Sequence, residues 1–60
     1  MTAKEIIKRL KKEGWKEVNT KGSHIQFSHP QKSGKVTVPN HSGDIKKGTL
    51  NSILKQAGWK

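Results

Sequence analysis

The chain has 60 residues, with thirteen lysines and arginines against four acidic residues and a formal charge of +9. A chain this short makes one domain, residues 1–60, and buries only about 60% of the surface its unfolded form exposes. The absence of cysteine excludes disulfide staples and thiolate metal sites, and a reducing cytoplasm is the expected compartment.

No apolar run reaches transmembrane length, and no apolar stretch follows the N-terminal lysines as a signal peptide would require. The charge favours a polyanionic partner. Nucleic acid is favoured over an anionic membrane, because the basic first helix needs its apolar face for the core.

Residues 2–13 read as an amphipathic helix. Thr2 and Glu5 have the spacing of a capping box. Ala3, Ile6, Ile7 and Leu10 form one apolar stripe, and Gly14 suits the left-handed turn that ends the helix. Glu5 and Arg9 are spaced as an i,i+4 ion pair. Lys4, Lys8 and Lys12 line the outer face, where like charges at this spacing repel in the free protein and would be relieved by a phosphate backbone.

Trp15 to Asn19 reads as a short strand anchored by its tryptophan, and Thr20-Lys21-Gly22 as a tight turn. The segment His24 to Ser28 alternates, with Ile25 and Phe27 on one face and His24, Gln26 and Ser28 on the other. His29 to Gly34 forms the next turn. Lys35 to Val38 is a third strand, with Val36 and Val38 inward and Lys35 and Thr37 outward, ended by Pro39. A loop carrying His41 and Gly43 leads to a second helix from about Lys47 to Ala57. Its stripe is Leu50, Ile53, Leu54 and Ala57; Gly58 closes it, and Trp59 folds back onto the core.

The expected fold is α+β: helix, three-stranded antiparallel sheet, helix, with both helices on one face. Such a module with basic helices resembles double-stranded RNA-binding domains, which read shape and phosphates. Positive charge is almost entirely lysine, and Arg9 is the one arginine. Lysines suit backbone contacts, whereas base readout leans on arginine's bidentate fork. Lys46 and Lys47, with Gly48 and Thr49 behind them, stand at the positive end of the second helix, a suitable cradle for phosphate.

Lys21-Gly22-Ser23-His24 resembles the signature of HicA-type (YcfA-like) toxins, small bacterial mRNA interferases. Val36-Thr37-Val38-Pro39 looks like the third strand of that family, and Gly48 to Gly58 closely matches its second helix. The opening helix with Glu13-Gly14-Trp15 fits as well, so the resemblance spans essentially the whole chain. Many members carry a second histidine where Ile25 stands, and proline where Lys47 stands. The resemblance implies a double-stranded RNA-binding fold turned into a ribonuclease, toxicity that depends on His24, and inhibition by a HicB-type antitoxin.

The chemistry fits that implication. RNA carries its own nucleophile, the 2′-hydroxyl, and an imidazole can act as base or acid at neutral pH. His24 is the expected catalyst of a metal-independent endoribonuclease. Lys4, Lys8, Lys12, Lys21, Ser23, Lys35, Lys46, Lys47 and Thr49 are the expected RNA contacts. No cofactor or metal is expected, since the three histidines lack paired ligand spacing. For His29 and His41 a structural or solvent role is expected ahead of a catalytic one. The expected partners are mRNA and an antitoxin whose acidic surface covers the face of His24, Gln26, Ser28, Lys35 and Thr37. A non-catalytic RNA-binding module and a protein that only docks on acidic proteins remain alternatives.

Overall fold

The computed structural model describes residues 1–59. Its elements are α1 (Ala3–Lys12), β1 (Lys16–Lys21), β2 (His24–His29), β3 (Lys32–Pro39) and α2 (Lys47–Gln56). The capping box forms: Thr2 Oγ1 accepts the Glu5 N–H at 3.2 Å, and Glu5 Oε1 accepts the Thr2 N–H at 3.0 Å. The Glu5–Arg9 pair does not form, because the box holds Glu5. Arg9 instead bonds Glu13 at 3.1 Å.

Both helices end the same way. After α1, the Trp15 N–H reaches back to the Leu10 carbonyl and the Gly14 N–H to Lys11. After α2, the Trp59 N–H reaches Leu54 and the Gly58 N–H reaches Lys55. These paired bonds form a Schellman motif, which requires a left-handed residue after the helix. Gly14 and Gly58 supply it, with φ of 97° and 76°. In each case the motif turns a tryptophan back toward the helix it follows.

The sheet is antiparallel in the order β1-β2-β3. Phe27 faces Val36 and Ile25 faces Val38 across the β2–β3 pair. The core joins Phe27, Val36 and Val38 to Ile6 and Leu10 of α1, Ile53 and Ala57 of the second helical segment, and Trp15. Both helices therefore pack on one face of the sheet. On the other face His24 and Lys35 are exposed, and Gln26, Ser28 and Thr37 are partly so. The architecture is the expected one, and its likeness to double-stranded RNA-binding domains is one of general plan.

Strand boundaries differ from the sequence reading, and β2 and β3 each run one residue further than expected, to His29 and Pro39. β1 starts at Lys16 and runs to Lys21, because the turn after α1 takes up Trp15. The β1–β2 turn is therefore Gly22-Ser23, not Thr20 to Gly22. β1 also carries a bulge, since Glu17 pairs with Phe27 and Asn19 with Gln26. The unmatched residue, Val18, is half exposed. β3 starts at Lys32, not Lys35: the turn is only Pro30-Gln31, and a register shift between Ser28 and His29 absorbs Ser33 and Gly34.

Candidate active site

His24 opens β2 directly after the Gly22-Ser23 turn, and its side chain is exposed. Strand register sets its neighbours, with Lys21 opposite on β1 and Pro39 opposite on β3. The Ser23 carbonyl accepts the Asn40 N–H at 2.6 Å. That bond ties the turn before His24 to the chain leaving β3.

A cleft of about 590 Å³ opens at this place. His24, Thr37 and Pro39 form its sheet side. His41, Ser42 and Asp44 come from the loop, and Ile45, Lys46 and Thr49 bring in the start of α2. Lys46 is the N-cap of α2 and makes no side-chain capping bond, and the first turn holds no acidic residue. The positive end of the helix dipole and the Lys46 ammonium thus meet at one edge of the cleft without an internal counter-charge from the helix. An anion is the ligand such an edge favours.

The expected site residues fall into two sets. His24, Lys46 and Thr49 line the cleft, Lys21 lies across from His24, and Ser23 precedes it. The others stand elsewhere. Lys35 pairs with Ser28 further along the sheet, and Lys47 occupies the first residue of α2. Lys4, Lys8 and Lys12 are exposed on α1, where Lys8 and Lys12 share a shallow groove with Arg9 and the carboxylates of Glu5 and Glu13. His41, expected in a structural or solvent role, also lines the cleft. Backbone bonds between distant segments bring it to His24, and no local pattern signals them.

The far end of β2, about 17 Å along the strand, is a structural clamp. His29 Nδ1 accepts the Gln31 N–H at 3.0 Å, so its proton sits on Nε2, which donates to the Glu13 carbonyl at 2.9 Å. The ring also meets Trp15 edge-on at 5.3 Å. Glu13 accepts the Trp59 Nε1–H at 2.7 Å on one oxygen and Arg9 on the other. The Trp59 bond first, and Arg9 second, hold the Glu13 carboxyl below the ordinary glutamate range. Lys32 Nζ closes the clamp by donating to the Ala57 carbonyl at 3.2 Å.

Among the described residues no helix is long and apolar enough to cross a membrane. No curated protein matches the chain. Among solved structures, the chain is similar to one described as a toxin–antitoxin complex from Streptococcus pneumoniae. The two share 37% identity, 97% of each chain is covered, and the TM-score is 0.77. The family model described as the HicA toxin of bacterial toxin–antitoxin systems matches residues 3–59. This chain belongs to the HicA toxin family.

Proposed function

We propose that the chain is the toxin of a type II toxin–antitoxin system, a metal-independent endoribonuclease that cleaves mRNA with His24 as its proton-transfer catalyst. The observation that carries this reading is the exposed imidazole of His24 on a cleft shared with Lys46 and the uncapped start of α2. Phosphate seated against that edge puts the adjoining ribose within reach of His24. The imidazole takes the proton of the 2′-hydroxyl, and the oxygen attacks the neighbouring phosphorus. Lys46, the Thr49 hydroxyl and the free N–H groups of α2 stabilise charge on the phosphoryl oxygens. The nucleophile belongs to the substrate, so no metal is needed to generate it. Ser23 sets the turn, and Lys21 and Lys35 guide the strand across the sheet. Lys4, Lys8, Lys12 and Lys47 add backbone contacts with little sequence preference.

A HicB-type antitoxin with an acidic surface is the proposed inhibitor. The structural relative is described as a toxin–antitoxin complex, and the face bearing His24 and Lys35 combines the catalyst with positive charge. One acidic surface laid on it would hide both.

A second reading, RNA binding without catalysis, is favoured by the exposed lysines of α1, which stand apart from the cleft. Product analysis separates the two. Incubated with RNA in EDTA, the purified protein is expected to leave 2′,3′-cyclic phosphate and 5′-hydroxyl ends. Ends bearing 5′-phosphate, or loss of cleavage in EDTA, contradict the mechanism; retention of intact RNA supports the second reading.

A further inference from the structure

Cleavage by attack of a 2′-hydroxyl moves two protons. One leaves the 2′-oxygen as its bond to phosphorus forms. Another must reach the 5′-oxygen as the bond between phosphorus and that oxygen breaks. His24 accounts for the first, and the clamp engages both nitrogens of His29. The remaining imidazole of the chain is His41.

His41 is exposed and lines the same cleft as His24. Its ring makes no hydrogen bond to the described residues, so both nitrogens are open to a ligand. The loop that carries it is fastened at both ends. On one side Asn40 N–H is bound to the Ser23 carbonyl, and the His41 N–H closes a tight turn onto the Pro39 carbonyl at 3.0 Å. On the other side Asp44 bridges to Thr2, and the Ile45 N–H bonds the Met1 carbonyl at 2.9 Å. These attachments reach the turn before His24 and the start of α1. His41 is therefore held beside His24 by backbone geometry, which limits the ordering needed when a substrate binds. The charged and titratable groups facing His41 in the cleft are His24 from β2 and Asp44 and Lys46 from its own segment. Of these side-chain types, imidazole is the one whose ordinary titration spans neutral pH, which suits proton donation there.

We propose that His41 is the general acid that complements His24, a role that rests on the ribonuclease reading of the cleft. His24 takes the proton of the 2′-hydroxyl while the bond from that oxygen to phosphorus forms. The bond from phosphorus to the 5′-oxygen breaks, its electron pair stays on that oxygen, and protonated His41 supplies the proton. His24 then loses a proton to water and His41 regains one, which restores both rings.

A sulfur-bridged substrate tests the role. A linkage cut by the wild type is first mapped in a short RNA, and the RNA is then made with sulfur in place of the 5′-oxygen at that linkage. Thiolate leaves without a proton, so an acid becomes dispensable and a base does not. His41→Ala is expected to slow cleavage of ordinary RNA by about 10²-fold or more. On the sulfur-bridged RNA it should cleave at close to the wild-type rate, and His41→Gln should behave alike. His24→Ala should be slow on both substrates. Equal impairment of the His41 variants on the two RNAs, or none on ordinary RNA, overturns the acid role and leaves His24 standing. Wild-type rates from His24→Ala on both overturn the assignment of His24, and an absence of RNA cleavage by the wild type overturns the ribonuclease reading itself.

Discussion

His24 and His29 share a strand and the same ring chemistry, yet the fold employs them differently. Both nitrogens of His29 are engaged by backbone groups, and a Cβ placed on Gly14 would stand 3.1 Å from His29 Nε2. Gly14→Ala therefore meets two obstacles, a positive φ and a crowded ring. It should lower unfolding free energy by about 1–2 kcal/mol or more, read from urea denaturation. Glu13 gives a pH test. Its folded pKa is depressed, so the stability it contributes is present above the unfolded value near 4.5 and is lost as pH falls through the lower folded value. The melting temperature of the wild type should fall across that acidic window, and Glu13→Gln should flatten the fall. Parallel acid profiles for the two proteins would contradict the assignment. Glu13 was legible only as a charge near a helix end. The tryptophan that binds it lies 46 positions away, and no local pattern carries such a contact.

Among the elements, the start of α2 is where stability and function pull apart. A lysine N-cap leaves the helix without side-chain capping and places positive charge at a positive dipole end. Lys46→Asp should stabilise the protein by about 1 kcal/mol, since aspartate caps the helix and favours its dipole. The same change should weaken RNA binding. The plot of log affinity against log salt should become shallower by about one unit for Lys46→Ala. A stabilised Lys46→Asp variant with unchanged RNA affinity would remove α2 from the site. The helices were legible because capping, an apolar stripe and a terminal glycine agree at each end of α1. Strand ends were less so. The bulge at Val18 and the register shift before Lys32 arise from pairing between strands, and pairing is not encoded in alternation alone. The position of His41 failed to show for the same reason, because its loop is set by bonds to Ser23 and Met1.

For the whole molecule, polarity is the organising feature. One end is closed by Trp15, Trp59, Arg9, Glu13, His29 and Lys32; the other gathers His24, His41, Lys46 and the open end of a helix. A net charge of +9 surrounds both. Binding to an acidic antitoxin should therefore slow and weaken as salt rises, because exposed charges are screened within about 10 Å at 0.1 M; a salt-independent association rate would contradict an acidic partner surface. His24 was legible in full, as a strand-opening residue on the outward face of an alternating segment, and the chain places it there exposed. The most direct measurement is the rate at which purified His24→Ala cleaves RNA in EDTA, beside wild type of matched thermal stability. A loss of about 10²–10⁴-fold is expected if His24 carries the proton transfer; cleavage at the wild-type rate would contradict it.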